Sequence, residues 1–241
     1  MISSEQVFEQ ISVSDIKVIA FTRNGGLSNA PYRTLNLADY VGDDPVIVQA
    51  NLEIVTELAG ANGCSVMAAN HGRAVQVVTH SGVASTGDGL ITHEVNLALL
   101  ALAADCVGFA LADPVNGIIA VGHAGWRGVL ANVMQALVDT FVQAGGELAN
   151  TQAVIGPAIC GKCYEVPKER VTQFLASRPE AVSDETHLDL RAGVRSVLGE
   201  HISQIHEFSG CTQEDENLFS YRRAGGKPTG RGGLLVVRTG S

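Results

Sequence analysis

The sequence predicts an α/β (α+β) domain in which a mixed β-sheet is flanked by helices. Segments with strand-like and helix-like periodicity are interleaved without strict alternation. Apolar residues make up 46% of the 241 residues and charged residues only 17%, which is enough to bury a large core. Because no repeat, low-complexity tract or linker interrupts residues 1–241, we expect a single domain.

Short apolar segments bounded by turn residues predict the strands. They cover residues 16–23, 74–80, 95–112, 117–123, 151–159 and 233–239, and residues 87–92 are predicted to be a turn leading into a short strand. The run at 95–112 is the most apolar stretch of the chain, but it is shorter than a membrane span and contains Asp105. We therefore interpret it as buried strands.

Four segments have helical periodicity. Asp43 or Asp44 can cap the first, Pro45 suits its first position, and Gly60 can end it. The second begins near Trp126 and is stopped by two glycines at 145–146. The other two are predicted over residues 167–177 and 190–206.

Residues 106–112 and 117–123 predict an antiparallel hairpin around the turn sequence Asp-Pro-Val-Asn. If those four residues form the loop, Cys106 lies opposite His123. Directly opposed residues share a face, with Cβ atoms about 4.5–5.5 Å apart. Zinc, with bonds of about 2.3 Å to sulfur and about 2.0–2.1 Å to nitrogen, fits this gap. A thiol–imidazole hydrogen bond and two unrelated buried polar residues remain as alternatives.

Several cationic residues are candidates for binding an anion. Arg127 follows the hairpin at a predicted helix start, where backbone N–H groups attract anions. Arg222 and Arg231 lie in a glycine-rich basic stretch, and Arg23 lies in a Thr-Arg-Asn-Gly-Gly loop. A solvated basic surface is the alternative for each of the four.

Cys160 and Cys163 have the C-x-x-C spacing of redox and zinc motifs. Because no second pair lies nearby in the sequence, we interpret them as incidental thiols, with a peroxide-sensitive disulfide as the alternative. Asp105, next to Cys106, is interpreted as support for that residue.

Charge and cysteine content suggest where the protein acts. A net charge of −9 and a pI near 5.2 argue against nucleic acid and anionic membranes as partners. The first residues lack the basic and apolar segments of a signal peptide. Five cysteines, an odd number, favour reduced thiols. We expect a cytoplasmic monomer that takes a small-molecule substrate.

Motifs along the chain resemble the YfiH family, also described as laccase-domain or multicopper polyphenol oxidase proteins. They are TRNGGLSNAPYRTLNLADYVGDD, NHG, ADCVGFALADP, VGHAGWRG, IGPAI, CYEV, CT, FSYRR and TGR, and they span roughly residues 16–238. The resemblance implies a mixed α/β sandwich related to bacterial toxin deamidases. It also implies a metal held by His71, Cys106 and His123, which would be the catalytic residues.

The same resemblance implies zinc-dependent processing of purine nucleosides. Phosphorolysis would cleave adenosine, inosine or methylthioadenosine with inorganic phosphate, and deamination would convert adenosine to inosine. One thiolate and two imidazoles leave an open position, as in catalytic zinc sites. A copper-binding, laccase-like polyphenol oxidase is an alternative, although seven histidines are few for a multicopper centre. A peptidoglycan-editing Cys-His hydrolase and a binding module with a structural metal are the others.

Overall fold

The computed structural model describes residues 5–240, which form two six-stranded mixed sheets packed face to face. The strands are β1 (Val7–Val13), β2 (Ile16–Phe21), β3 (Gly63–Ala68), β4 (Val75–Val77), β5 (Gly82–Thr86), β6 (Gly89–Thr92), β7 (Leu97–Ala103), β8 (Val107–Asp113), β9 (Ile118–Ala124), β10 (Gln152–Ile155), β11 (Gln204–Glu207) and β12 (Gly232–Arg238). The first sheet has the order β1-β2-β12-β7-β3-β5, and the second has the order β11-β10-β8-β9-β6-β4.

Helices cover the two outer faces of the sheets. They are α1 (Pro45–Ala59), α2 (Trp126–Leu130), α3 (Val133–Gln143), α4 (Lys168–Ser177), α5 (Leu190–Gly199) and α6 (Tyr221–Ala224). Helix α1 packs on the first sheet, and α2 to α5 pack on the second. No helix within residues 5–240 is long and apolar enough to cross a membrane.

The central strands are apolar on both faces because each sheet lies between two layers. In β12, Leu234 and Val236 pack between the sheets, whereas Leu235 and Val237 pack toward α1. In β8, the side chain of Phe109 packs against the helices and that of Ala110 against the other sheet. This period-two alternation fixes which strand residues can share a site.

The predicted fold class is confirmed, and so is the first helix. The Asp44 carboxylate accepts a hydrogen bond from the Val46 backbone N–H at 2.9 Å, and Gly60 ends the helix at φ 75°. The predicted helix at 167–177 is also present, as α4.

Two predicted helices need correction. The one beginning near Trp126 is divided into α2 and α3, because Asn132 has a left-handed backbone with φ 59°. The one predicted over 190–206 ends at Gly199, and β11 follows it and pairs in parallel with β10. Four observed strands, β1, β3, β5 and β11, lie outside the segments predicted to be strands.

The hairpin of β8 and β9 forms as expected, but its register differs from the prediction. The turn is residues 114–117, and His123 lies opposite Gly108 rather than Cys106. Gly117 adopts φ 64° in the turn, and the Asp113 carboxylate accepts the N–H of Val115. The shift of two residues leaves every side chain on its expected face.

Candidate metal centre

Three side chains predicted to share a site converge at one end of the second sheet. His71 lies in the loop after β3, Cys106 directly precedes β8, and His123 is in β9. Each offers a donor atom, and these atoms lie within 4.8 Å of one another. The Cys106 Sγ is 4.0 Å from the His71 Nε2. The two imidazole rings are nearly perpendicular, with centroids 5.0 Å apart.

A buried carboxylate, that of Asp88, holds two of these residues in place. It accepts hydrogen bonds from the His123 Nδ1 at 2.9 Å, the His71 backbone N–H at 3.0 Å and the Gly72 N–H at 2.7 Å. Burial by itself would raise the pKa of Asp88, but the bonds from His123 and Gly72 lower it. With Nδ1 engaged, His123 presents Nε2 to the site, as metal-binding histidines commonly do.

Sequence reasoning missed Asp88. The sequence places Asp88 only in the turn that leads into the short strand predicted at 87–92. The visible signal is an aspartate between two glycines that directly precedes a fully buried strand. Its partner could not be inferred, because contact with His123 depends on the pairing of β6 with β9.

The donor set fits a divalent ion with nitrogen and sulfur ligands. Tetrahedral zinc with ordinary bond lengths places its ligand atoms roughly 3.3–3.8 Å apart, close to the 4.0 Å between Cys106 and His71. Within the described residues the cluster has three donors. Three protein ligands leave a fourth position open, as in catalytic rather than structural zinc sites. The same donors are also acceptable to copper.

Without an ion, the cluster favours a thiolate beside an imidazolium. Burial by itself would raise the pKa of Cys106, but the charge of His123 and hydrogen bonds with both histidines lower it to about 6. Burial would lower the pKa of His123, but Cys106 and Asp88 raise it to about 9. The cluster therefore stabilises the deprotonated thiol that metal binding requires.

Gly125 leaves room for the cluster. A Cβ at this position would lie 2.7 Å from the His71 Cδ2 and 3.0 Å from the Cys106 Sγ. Any larger residue would displace the donors, so this glycine is required by close approach of the backbone.

The four predicted anion-binding arginines lie in different surroundings. Arg222 donates to the carbonyls of Cys163 and Glu165, and Arg231 to those of Thr229 and Gly230. Arg23 donates to the Arg33 carbonyl and stacks on the Phe219 ring. Arg127 is exposed, stacks on Trp126, and makes no guanidinium hydrogen bond to any described residue.

Two of these arginines contact tyrosines. Arg231 hydrogen-bonds with Tyr40, and Arg222 stacks on the Tyr164 ring at 5.1 Å. Burial raises the pKa of each tyrosine, and the charge of Cys106 raises it further. Sequence patterns did not indicate these two tyrosines.

Asp105 connects Cys106 to the C-terminal part of the chain. Its carboxylate accepts from the hydroxyls of Thr212 and Ser220 at 2.7 and 2.6 Å and from the Arg222 N–H at 2.7 Å. Asp105 itself adopts φ 103°. These contacts anchor the residue before Cys106, so Asp105 supports the cluster through the backbone.

A second group of donors contains Cys160, Cys163, Cys211 and Glu214, whose donor atoms also lie within 4.8 Å of one another. No second pair accompanies Cys160 and Cys163 in the nearby sequence, but the fold brings one from 51 residues further along the chain. Burial and then the neighbouring thiols raise the pKa of Cys163 to about 12. The premise that no second pair lies nearby is therefore wrong, and whether Cys160 and Cys163 are incidental thiols stays a prediction.

A profile of the family described as "Multi-copper polyphenol oxidoreductase laccase" matches residues 17–239. The chain belongs to this family. A relative from Streptomyces coelicolor, named "Purine nucleoside phosphorylase SCO2081", is 40% identical over 221 residues, covering 87% of this chain and 90% of its own. Another, "Adenosine deaminase RL5" from an unknown prokaryotic organism, is 30% identical over 249 residues, covering 93% and 95%.

Structural comparison agrees with this membership. The crystal structure of the Bacillus licheniformis hypothetical protein YfiH superposes with a TM-score of 0.84 at 29% identity, covering 92% of each chain. The resemblance to YfiH proteins and the sandwich expected from it are confirmed. The family description names copper chemistry, whereas the two relatives' names describe purine nucleoside chemistry.

Proposed function

We propose that this protein is a zinc-dependent enzyme of purine nucleosides that uses His71, Cys106 and His123 as ligands. It would cleave adenosine, inosine and methylthioadenosine with inorganic phosphate and would deaminate adenosine. The observation that carries the proposal is the convergence of three donors around an open position. The 40% identity to a protein named purine nucleoside phosphorylase supports the substrate class.

Bound zinc would supply Lewis-acid activation of an oxygen atom. The chain's own residues position that chemistry. Asp88 fixes the orientation of His123, and Asp105 anchors the backbone before Cys106. We assign Tyr40 and Tyr164, whose pKa values both respond to the charge of Cys106, as the candidates for stacking on a purine base, because aromatic faces suit it.

Phosphorolysis requires a binding site for the attacking anion. A phosphate oxygen forms the new bond to C1′ as the bond from C1′ to the purine breaks and the base leaves with its electron pair. Arg127 has unused donors and directly follows the hairpin that carries His123. We assign Arg127 the main contact with phosphate, with Arg23, Arg222 and Arg231 as further candidates. Arginine forks are suited to phosphate oxygens.

The test is an assay of zinc-loaded protein with adenosine, inosine and methylthioadenosine, each with and without phosphate. We expect phosphate-dependent release of adenine or hypoxanthine, and phosphate-independent inosine from adenosine. His123→Ala removes a ligand and should abolish both, whereas Cys64→Ser changes a thiol outside the cluster and should abolish neither. If a fully zinc-loaded sample forms none of these products, the proposal is wrong for this chain.

Copper-dependent phenol oxidation is the second candidate, because the family description names it and one thiolate with two imidazoles can hold copper. Loading metal-free protein with copper or with zinc separates the two candidates. The zinc proposal expects nucleoside turnover with zinc and at most weak phenol oxidation with copper. Phenol oxidation that persists in chelator would exclude copper as its cause.

A metal-free Cys-His hydrolase is the third candidate, since the cluster lowers the pKa of Cys106 to about 6. Iodoacetamide distinguishes a ligand from a nucleophile. Bound zinc should protect Cys106, and removing the metal should expose it to rapid alkylation. Alkylation of the fully zinc-loaded protein at Cys106 at the metal-free rate would favour the dyad.

We expect the enzyme to act as a monomer in the cytoplasm. The five cysteines of the described residues are all free, as is usual in a reducing compartment. Size-exclusion chromatography with light scattering tests the first expectation, and cell fractionation tests the second.

A further inference from the structure

Two turns with the same spacing face each other beside the candidate metal centre. One is Cys160-Gly-Lys-Cys163, and the other is Cys211-Thr-Gln-Glu214. In each, the N–H of the fourth residue donates to the carbonyl of the first, at 2.9 Å for Cys163 and 3.1 Å for Glu214. A parallel β-bridge between Ala158 and Cys211 holds the two segments side by side. The fold thus supplies the second ligand pair that the local sequence lacks.

We propose that Cys160, Cys163, Cys211 and Glu214 bind a second zinc ion with a structural role. Their four donor atoms lie within 4.8 Å of one another, and they number four, as in a closed tetrahedral site. This proposal goes beyond the function proposed above and does not depend on it.

Burial raises the pKa of Cys163 and Cys211 when no cation is present, but the main chain offers the group one donor for a thiolate. The Cys160 backbone N–H donates to the Cys211 Sγ at 3.3 Å, so a main-chain dipole already stabilises negative charge on that sulfur. Cys211 is buried, whereas Glu214 is exposed and completes the group from its surface side. Three thiolates select against magnesium and calcium, and a carboxylate is an ordinary zinc ligand.

A disulfide between Cys160 and Cys163 is the competing interpretation of the same cysteines. It would involve two of the four donors and would leave Cys211 and Glu214 without a role. The matching spacing and turn geometry of the second pair favour the ion.

The position of the group explains what a structural ion would do. Ile159, before Cys160, donates its N–H to the Asp105 carbonyl at 3.1 Å. Thr212, after Cys211, donates its hydroxyl to the Asp105 carboxylate at 2.7 Å. An ion joining the two turns would therefore fix both partners of the residue that precedes Cys106.

The experiment is metal analysis of the full chain after purification with reductant and without chelator, with zinc supplied during expression. We expect about two zinc ions per chain in the unmodified protein and in Cys64→Ser. His71→Ala and Cys211→Ser should each retain about one. Because Cys211 is buried, substitutions of exposed residues provide a milder test. Glu214→Gln should weaken the retention of one ion against a competing chelator, and the control Glu216→Gln should not.

Cobalt substitution identifies which site is lost. Cys211→Ser removes the ion of a three-thiolate site, and Cys106→Ser removes that of a one-thiolate site. The thiolate-to-cobalt absorption should therefore fall more in Cys211→Ser. A single zinc ion that is retained in Cys211→Ser but lost in His71→Ala would overturn this proposal. So would a Cys160–Cys163 disulfide that persists in the protein purified with reductant, detected by mass spectrometry. If Cys211→Ser loses an ion and His71→Ala loses none, the second site binds zinc and the metal centre of the proposed function does not.

Discussion

The two donor groups lie on either side of Asp105, but they are built differently. The first group, His71, Cys106 and His123, combines a strand residue with two loop residues, and a buried carboxylate orients it from behind. The second, Cys160 to Glu214, consists of two matching turns with four donors. Three donors, one of them on a rigid strand, leave a coordination position free and suit a catalytic metal site. Four donors between two turns fill a tetrahedral ion's coordination and suit a structural site that crosslinks loops. The predictions below test this contrast.

Removing a thiol should have opposite consequences in the two groups. Cys106→Ser should reduce nucleoside turnover to background, because the ion that activates oxygen is lost. Cys211→Ser should leave the catalytic rate per zinc-loaded centre close to that of the unmodified protein. It should instead lower Tm by roughly 5–11 °C, since an ion present at about 100 times its Kd contributes about 2.7 kcal/mol. Steady-state kinetics and calorimetry measure both. Equal loss of turnover in the two variants would contradict the contrast.

Asp88→Asn should weaken zinc binding at the first group by about 10–100-fold, the usual effect of losing a carboxylate behind a metal-binding histidine. The amide offers one acceptor oxygen where the carboxylate serves His123 and the backbone of His71 and Gly72. Competition with a fluorescent chelator measures the affinity.

Asp113→Asn is the matched control. Asp113 is also fully buried and also accepts backbone hydrogen bonds, but it lies at the turn end of the hairpin. The Asp113→Asn variant should have a lower free energy of unfolding and an unchanged zinc affinity. A similar loss of affinity in both variants would mean that Asp88 acts only through folding.

The sequence predicted the shared face of Cys106 and His123 even though the register was wrong. Side chains alternate along a strand, so a two-residue error moves the partner of His123 from Cys106 to Gly108 but leaves both donors on one face. Asp88 and the Cys211 turn could not be predicted in this way. Their contacts arise from the pairing of β6 with β9 and from a bridge between segments 53 residues apart. The periodicity of one segment does not predict which distant segment it pairs with.

The same limit applies to the helices. The capped and strongly periodic α1 was predicted to within a residue at each end. A helix was predicted over residues 190–206, but it ends at Gly199, before the apolar residues Ile202 and Ile205. Residues 204–207 instead form β11 and pair in parallel with β10. Tertiary strand pairing outweighs local helix propensity there.

Gly125→Ala should impair the first group by a smaller amount, about tenfold in zinc affinity. The added methyl would lie 2.7 Å from the His71 ring and 3.0 Å from the Cys106 Sγ, so the donors must separate. Gly199→Ala is the control, because its Cβ would meet nothing closer than 3.9 Å. Zinc titration of both variants checks this. Unchanged affinity in Gly125→Ala would show that the cluster tolerates displacement and is not held tightly.

The smallest expected effect concerns the proposed contact between Arg127 and phosphate. Arg127→Gln should raise the KM for phosphate by roughly three- to tenfold, the worth of one charge-assisted contact at an exposed site. Adenosine deamination uses no phosphate, so its KM should not change. Lys162→Gln removes the same charge beside the closed group and should alter neither constant. A phosphate effect from Lys162 instead of Arg127 would place the phosphate site beside the second donor group and contradict the assignment of Arg127.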